Sequence, residues 1–278
     1  MKQSYNIIVT LVCLFFFSGC LKEADIEAEF EPQVFIYGYL IDNTDYIKVT
    51  VQRTVPVNVT TVDAIEDATI SLYTEDVNSN ITLVTDDFVY ANEGDYYSND
   101  TVTGIVGNKY WIEVVLTDGT TYESEHETLK PPVEIIDIRK EGNFSQVVFS
   151  DPPGESNFYI VDYNFYEGSN RIARRFELSN DNLFDGNGNA FIETEYIEGN
   201  GIGISLNNLN YLTYQFYVTS FDQYDNQVDF GSTETVDAFL IFSKPPVNLI
   251  GNIKNKTTNR TALGFFGVFS SDYAEAIF

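Results

Sequence analysis

Side-chain alternation with a period of two is the feature of this sequence that most restricts its fold. From Ile47 to Gln52, apolar residues occupy every second position and polar residues lie between them, and the pattern recurs in residues 68–72 and 110–117. Successive side chains of a β-strand point to opposite faces, so this alternation predicts strands with one buried face. Phenylalanine and tyrosine, present in 22 and 19 copies, suit the half-buried surface of a sheet. We therefore predict a mainly β protein.

An Asp-Gly pair marks the turn between two of these predicted strands. Asp118 and Gly119 lie between the alternating residues 110–117 and the strand-like stretch 121–125. Both residue types tolerate the positive φ angles that the two central residues of a type I′ turn require. We predict a type I′ hairpin at this point.

Proline pairs divide the chain. The first lies in LKPPVEI, residues 129–135, and the second occupies residues 245–246. Proline cannot donate a hydrogen bond within a central strand, and paired prolines stiffen a connector. The short strands before the first pair span about 100 residues, the size of a β-sandwich. We predict an Ig-like or transthyretin-like sandwich over residues 33–130 and a second β-rich domain over residues 131–278.

Within the second domain, residues 208–226 fit two different structures. Tyr211, Tyr214 and Val218 fall on one face of a helix, whereas Tyr214, Phe216 and Val218 fall on one face of a strand. The spacing leaves both structures open, and we favour one helix. The remaining apolar stretches of this domain are predicted strands: QVVFS, FYIVDYNFY, ARRFELS and TALGFFGVFSS.

The N-terminus has the organisation of an exported lipoprotein. A basic start and an apolar run over residues 7–17 end at Ser18-Gly19-Cys20. The run is shorter than the roughly 20 residues that span a bilayer, and it has the proportions of a signal-peptide core. Small residues before a cysteine resemble the lipobox of bacterial lipoproteins, in which the cysteine is acylated and becomes the first residue of the mature chain. We predict that residues 1–19 are a signal peptide.

Cys20 is predicted to carry the lipid that anchors the chain in the outer membrane. The only other cysteine, Cys13, lies in the predicted signal peptide, so we expect no disulfide in the mature chain. Residues 20–32 are predicted to be an acidic tether. Their charge pattern resembles the export signal that Bacteroidota place behind the lipidated cysteine to send lipoproteins to the cell surface. We therefore expect a lipid-anchored protein that faces the cell surface.

The chain is strongly acidic. It has 15 lysine and arginine residues against 42 aspartate and glutamate residues, a formal net charge of −27 at pH 7. Such a field repels the phosphate backbone of nucleic acids, so we predict no nucleic-acid partner. It also repels an anionic membrane surface, so membrane attachment must come from lipid rather than from a basic patch.

No catalytic constellation is apparent in the sequence. The single histidine, His126, lies between Glu125 and Glu127 at a predicted strand end, where a surface position is expected rather than a place in a catalytic triad. One histidine and no mature free thiol also argue against a zinc site. A glycosidase needs only two carboxylates, and the chain has many. We predict that the protein is not an enzyme and needs no cofactor, with a carboxylate-dependent hydrolase of surface polymers as the alternative.

One loop contains residues suited to calcium. Asp181, Asp185, Asn187 and Asn189 are oxygen donors at close spacing, with glycines between them. An EF-hand loop would need an oxygen donor at its third position, which is Leu183 here, so that motif is broken. A turn rich in Asn, Asp and Gly is the other interpretation.

Tyrosine and phenylalanine could also line a sugar- or peptide-binding surface. Most of them are expected in the core, because these side chains bury large areas. The candidates for such a surface are Tyr96, Tyr97, Tyr163, Phe165, Tyr166, Tyr211, Tyr214 and Tyr217.

Several stretches are together similar to one known family. They are FIYGYL, GNKYWIEVVLTDGTTYES, DPPGESNFYIVDY, NDNLFDGNG, and the C-terminal NLIGNI and ALGFFGVFSS. With the lipobox cysteine, they resemble a family of Bacteroidota outer-membrane lipoproteins known as domain of unknown function 4249. The resemblance implies two β-rich domains and a place beside TonB-dependent outer-membrane transporters, and it offers no catalytic residues. We therefore expect a binding or accessory subunit in nutrient uptake, with outer-membrane lipid and a transporter as its partners.

Overall fold

The computed structural model describes residues 30–42, 44–56, 59, 61–227 and 250–278, and in this part of the chain the mainly β prediction is confirmed. The predicted signal peptide, Cys20, most of the acidic tether and the second proline pair lie outside the described residues. No helix in the described part of the chain has the length and apolar character needed to cross a membrane.

Within the described residues, the elements are one helix and a series of mostly short strands. The helix is α1 (Tyr211–Gln227). The strands are β1 (Val34–Ile41), β2 (Lys48–Arg53), β3 (Asp63–Ala64), β4 (Thr69–Glu75), β5 (Ile81–Thr85), β6 (Phe88–Tyr90), β7 (Asp95–Ser98), β8 (Lys109–Val115), β9 (Thr121–Ser124), β10 (Glu127–Thr128), β11 (Ile135–Glu141), β12 (Phe144–Phe149), β13 (Phe158–Glu167), β14 (Asn170–Asn180), β15 (Ala190–Glu195), β16 (Gly201–Leu209), β17 (Ile250–Asn255) and β18 (Thr261–Ile277).

The strands of the first half join the last two strands in one large, nearly closed sheet. Their order is β5-β4-β8-β9-β17-β18-β1-β2-β7-β6, and only β1 and β18 run parallel. Inward-facing apolar side chains form the first core, as the period-two alternation predicted. They include Ile36, Val49, Val51, Ile70, Leu72, Ile112, Val114, Phe266 and Val268.

Strand β2 is buried on its polar face as well. Thr50 and Gln52 are 7% and 3% exposed, although the alternation predicted contact with water. The Thr50 hydroxyl donates to Asp95 at 2.6 Å, and the Gln52 amide donates to the carbonyl of Glu93 at 2.7 Å. The strand is therefore covered on both faces, because the loop leading into β7 supplies hydrogen-bond acceptors to its polar side.

The hairpin between β8 and β9 forms, but its turn is not type I′. Gly119 has a φ of 85°, whereas Asp118 is absent from the described residues with positive φ. Leu116 accepts a hydrogen bond from Gly119 N–H at 2.9 Å, and the Asp118 carboxylate accepts one from Thr120 N–H at 2.8 Å. The turn places glycine alone in the left-handed region, because the Asp118 side chain satisfies Thr120 N–H instead.

A second core lies between the C-terminal extension of the large sheet and a separate three-stranded sheet. Strands β16, β13 and β14 extend from the C-terminal half of β18, and β11, β12 and β15 form a separate three-stranded sheet. The apolar side chains between these sheets include Val147, Phe149, Tyr159, Val161, Tyr163, Phe165, Ile192, Ile202 and Ile204. All of the C-terminal strands predicted from apolar stretches are present.

Strand β18 serves both cores. Its residues 263–269 pair with β1, and its residues 270–277 pair with β16. Pro32–Phe278 accordingly form one compact unit. The domain boundary predicted between residues 130 and 131 stays a prediction: the two cores fall mostly on either side of it, while β17 and β18 add side chains to the first core.

Helix α1 packs on the outer face of the sheet around β1 and β18. The Phe216 ring stacks on Phe265 with 5.0 Å between ring centroids, and the Tyr37 and Tyr217 hydroxyls lie 3.1 Å apart. Strand β1 is therefore buried on both faces, with Phe35 under the helix and Ile36 in the first core. This explains why the stretch FIYGYL is almost continuously apolar rather than alternating.

The helical interpretation of residues 208–226 is confirmed, but the predicted stripe is not the buried one. The buried positions of α1 are Thr213, Phe216, Tyr217 and Ser220. Tyr211 lies at the helix start and is 56% exposed. The buried face is partly polar: the Thr213 hydroxyl donates to Glu127, and the Ser220 hydroxyl donates to the Phe216 carbonyl within the helix.

Candidate functional site

The calcium candidates are only partly brought together by the fold. Asp181 and Asp185 converge with Asp151, and their carboxylate oxygens lie within 4.8 Å of one another. Asp151 and Asp181 are buried, whereas Asp185 is exposed. Asn187 does not join this group: its side-chain oxygen accepts a hydrogen bond from Asn189 N–H at 2.9 Å, a local turn contact. The sequence did not reveal Asp151, which lies 30 residues before Asp181 and reaches it only through the fold.

Hydrogen bonds from the protein already engage the three carboxylates. Asp151 accepts from the Tyr159 hydroxyl at 2.5 Å and from Gly186 N–H at 2.8 Å. Asp181 accepts from Asn157 N–H at 2.7 Å, and Asp185 accepts from Gly154 N–H at 3.0 Å. Burial, followed by the hydrogen bond to Asp151, raises the pKa of Tyr159 well above its ordinary value, which keeps this hydroxyl a donor.

The acidic cluster could hold a divalent cation only with further ligands. Three carboxylates are hard oxygen donors of the kind that Ca²⁺ prefers, but Ca²⁺ takes six to eight oxygens. In the part of the chain that the structure describes, hydrogen bonds from the protein to these three carboxylates explain why the carboxylates lie close together: they hold the loop in place. The turn interpretation therefore explains these contacts without a metal.

The aromatic candidates are mostly core residues. Tyr96, Tyr163, Phe165 and Tyr217 are all at most 5% exposed. Tyr163, for example, donates to the carbonyl of Ile192 at 2.7 Å inside the second core. Partial exposure remains for Tyr97, Tyr166 and Tyr214, and Tyr211 is exposed.

A groove runs along the face of the β18-β16-β13-β14 sheet that also carries α1. We call it the sheet-face groove, and it consists of two cavities. The first measures about 300 Å³, with Asp162, Arg174, Asn207, Tyr217 and Tyr273 among its lining residues. The second measures about 460 Å³, with Tyr166, Ser169, Asn200, Gly201 and Glu275 among its lining residues.

Tyr273 lines the first cavity, and Glu275, two residues further along β18, lines the second. The Tyr273 ring lies across Gly203, where an added Cβ would come within 2.5 Å of the Tyr273 hydroxyl oxygen. That hydroxyl donates to Glu275. Burial and then this hydrogen bond raise the pKa of Tyr273 above its ordinary value, so it remains a neutral donor.

The acidic group on the floor of the first cavity is neutralised by an ion pair. Arg174 Nε donates to Asp162 Oδ1 at 2.9 Å, and Arg174 Nη2 donates to Oδ2 at 2.6 Å. Asn164 also donates to Asp162 Oδ1 at 3.0 Å. A bidentate pair of this kind fixes both side chains. Asp162 therefore offers a fixed polar surface rather than a free base.

His126 lies against the single tryptophan. Its ring is 3.7 Å from that of Trp111 with an interplanar angle of 7°, and Tyr73 stacks on Trp111 at 5.7 Å. The Nδ1 atom of His126 lies 3.9 Å from a carboxylate oxygen of Glu75. Trp111 is only 4% exposed although it faces outward from the first core. His126 thus stacks on Trp111 and lies beside a carboxylate of Glu75.

We expect His126→Ala to uncover Trp111. Removing the stacked ring exposes one face of the indole and loses a ring contact worth about 1 kcal/mol. The measurement is tryptophan fluorescence, which should shift to longer wavelength and become more sensitive to acrylamide. His126→Phe is the matched control and should preserve the emission of the unaltered protein. Equal quenching of His126→Ala and the unaltered protein would contradict the stacking assignment.

Comparisons with known proteins identify the family of this chain. The family model described as a domain of unknown function (DUF4249) matches residues 22–274. A search of curated proteins found no match. The chain is similar to the chicken CNTN1 FN1-FN3 domains, with 11% identity and a TM-score of 0.26 over 64% of this chain and 61% of that one. It is also similar to CBD12 from CALX1.2, with 12% identity and a TM-score of 0.19 over 84% of this chain and 98% of that one. The chain thus spans less than two thirds of the first structure, and neither likeness carries an argument.

Proposed function

This chain belongs to the family described as a domain of unknown function (DUF4249), and on that premise we propose that it is a lipid-anchored outer-membrane lipoprotein of Bacteroidota that works by binding. In this proposal it is an accessory subunit of an envelope complex at the cell surface. Its partner is a TonB-dependent transporter, and its role is in nutrient uptake. The observation that carries the binding role is the sheet-face groove.

The groove supports binding rather than hydrolysis. Its cavities of about 300 and 460 Å³ are lined by aromatic and polar side chains, and cavities of a few hundred Å³ suit small ligands and peptide segments. A hydrolase needs two carboxylates free to act as acid and base. The groove carboxylates Asp162 and Glu275 are instead engaged by Arg174 and Tyr273, respectively.

The buried carboxylates elsewhere support the same conclusion. Asp151 and Asp181 are close together, but both accept hydrogen bonds from the surrounding loop. A general acid or base must reach the substrate proton directly or through one water. These two side chains are 2% and 4% exposed, so their geometry favours bracing the loop.

The sequence before the folded unit supports the anchor. Residues 21–32, if extended, reach roughly 40 Å from Cys20. Such a tether would allow the β-rich body to contact a membrane partner while the acyl chains stay in the leaflet. Acyl chains add about 0.8 kcal/mol per buried CH₂, which weak contacts of an acidic body do not match.

Affinity purification of the tagged full chain from gently solubilised membranes tests the proposal. We expect an outer-membrane protein to co-purify and to stay bound at moderate salt, because contacts between surface charges alone weaken as screening increases. Cys20→Ser is the matched variant. It should leave the membrane fraction for the soluble fraction while the body stays folded.

Two outcomes would overturn the proposal. If Cys20→Ser stays with the membrane, the lipid anchor is wrong. If the purified protein turns over a polysaccharide or peptide, and loses that activity on replacing one or two carboxylates, the hydrolase alternative is correct.

A further inference from the structure

Between its pairing with β17 and its pairing with β16, one edge of β18 is hydrogen-bonded to side chains instead of to the backbone of a strand. β17 pairs with residues up to Leu263, and β16 pairs from Ser270 onward. Between them, the Asn252 amide oxygen accepts from Phe266 N–H at 3.0 Å, and its nitrogen donates to the carbonyl of the same residue at 2.9 Å. The side chain of Asn252, within β17, therefore takes the place of a backbone partner for Phe266.

Glu127 and Asn210 likewise supply side-chain hydrogen bonds to Val268, the next residue whose backbone groups face that edge. Val268 N–H donates to Glu127 Oε2 at 3.2 Å, and the Asn210 amide donates to the Val268 carbonyl at 3.0 Å. Glu127 Oε2 also accepts from the Thr213 hydroxyl at 2.8 Å and from the Asn210 amide at 3.4 Å. Asn210 directly precedes α1, and Thr213 lies in its first turn. One carboxylate oxygen thus joins β10, β18 and the start of α1.

The other oxygen of this carboxylate has no hydrogen-bond partner. Glu127 is 5% exposed, and its Oε1 is one of the buried unpartnered atoms in the described part of the chain. The side chains of Asn208 and Ser270, which are register partners beside this point, each contribute another. Buried polar atoms without partners cost free energy. Buried polar atoms at this junction between the two cores therefore lack hydrogen-bond partners.

We propose that Glu127 is a proton-controlled clasp: its neutral form holds the first turn of α1 against β18, and its ionisation loosens that contact. The neutral carboxyl group keeps Oε2 as an acceptor for Thr213 and Val268. Ionisation places a full charge in a buried site where only one of its two oxygens is solvated by donors.

The titration range follows from the surroundings of the carboxylate. Burial raises the pKa of Glu127 from 4.5 to about 7, the hydrogen bonds from Thr213, Val268 and Asn210 oppose this rise, and Glu125 adds to it. The other charged group that faces it is Lys130, whose pKa burial lowers. The groups contributed by α1 and β18 to this contact are neutral.

The direction of the effect can be derived by linkage. When the junction opens, Glu127 regains an ordinary pKa and releases its proton at lower pH than in the closed state. Stability of the contact is therefore complete at pH values below the ordinary pKa and is lost as the pH rises through about 7. With these two pKa values, the equilibrium for opening should increase about tenfold between pH 6 and pH 8.

Amide hydrogen exchange on the full chain tests the clasp. After correction for the intrinsic effect of pH, peptides from residues 209–217 and 264–270 should open about tenfold more often at pH 8 than at pH 6. Glu127→Gln should remove most of this difference. Glu141→Gln is the matched control, because that exposed side chain lies in β11, and it should respond like the unaltered protein. The same tenfold response in Glu127→Gln would overturn the proposal.

A second measurement does not depend on the variant folding. In the unaltered chain labelled with ¹³C-glutamate, one carboxyl resonance should titrate near neutral pH, and the Val268 amide resonance should shift with the same midpoint. If no glutamate carboxyl titrates near neutral pH, or if Val268 does not follow it, the clasp is excluded.

Discussion

Gly264→Ala is expected to prevent folding, or to lower the free energy of unfolding by more than about 4 kcal/mol. Gly264 has a φ of 95°, a conformation that side chains rarely adopt. An added Cβ would lie 1.9 Å from the carbonyl oxygen of Ile36 and 2.7 Å from its carbonyl carbon. The clash is with backbone, so no side-chain rotation relieves it.

The surrounding strands leave little room for adjustment. Gly264 pairs with Ile36 across the parallel β1-β18 contact, and on its other side Gly251 approaches so closely that a Cβ on Gly251 would lie 1.5 Å from the Gly264 carbonyl oxygen. Moving β18 away from β1 would open the first core at Phe266 and Val268. Backbone strain and lost packing therefore add together.

Urea denaturation followed by circular dichroism measures this effect. Gly188→Ala is the matched control, since its nearest contact is Ser150 Oγ at 4.0 Å and its φ is not in the left-handed region. It should unfold within about 0.5 kcal/mol of the unaltered chain. A Gly264→Ala protein as stable as Gly188→Ala would show that β1 and β18 do not pair in this register.

Asp151→Ala is expected to lower the free energy of unfolding by about 2–4 kcal/mol. The truncation leaves the Tyr159 hydroxyl and Gly186 N–H without their acceptor. Both Tyr159 and Asp151 are at most 2% exposed, so water cannot reach the Tyr159 hydroxyl without opening the structure. Amide hydrogen exchange should therefore increase first in the loop of residues 180–189, which borders the second core.

A double-mutant cycle separates this hydrogen bond from general damage. Tyr159→Phe removes the hydroxyl but keeps the ring in the second core, so it should cost about 1 kcal/mol. Asp151→Ala combined with Tyr159→Phe should cost less than the sum of the two single changes. Strict additivity in the cycle would indicate that the two side chains do not interact.

The local sequence pattern was sufficient to predict most strands, because a strand with one buried face requires apolar and polar residues to alternate along the sequence. The alternation from Ile47 to Gln52 and the apolar stretches of β12, β13 and β18 each correspond to an observed strand. The hairpin at Gly119 was also predictable, since a glycine in a short polar connection marks a turn. The turn type was not, because it depends on the hydrogen bond between Asp118 and Thr120.

The candidate site was only half visible in the sequence for a related reason. Asp181 and Asp185 are close in sequence and therefore drew attention together, whereas Asp151 joins them through the packing of β12 and β13. The sequence did not distinguish the partly exposed aromatic residues from the buried ones. Tyr163 and Tyr166, for example, lie in the same strand, β13, but only Tyr163 is buried.

Composition and order along the chain were enough to indicate the β class, the acidic charge and the family. Those properties depend on residue types and short spacings. Glu127 is an example of what only the tertiary structure decided. Its neighbours His126 and Glu125 predict an exposed acidic side chain, but Glu127 is buried where β10, β18 and α1 meet. Burial and partner choice are set by elements that lie more than 80 residues away along the chain, and no local pattern records which of them will cover a given side chain.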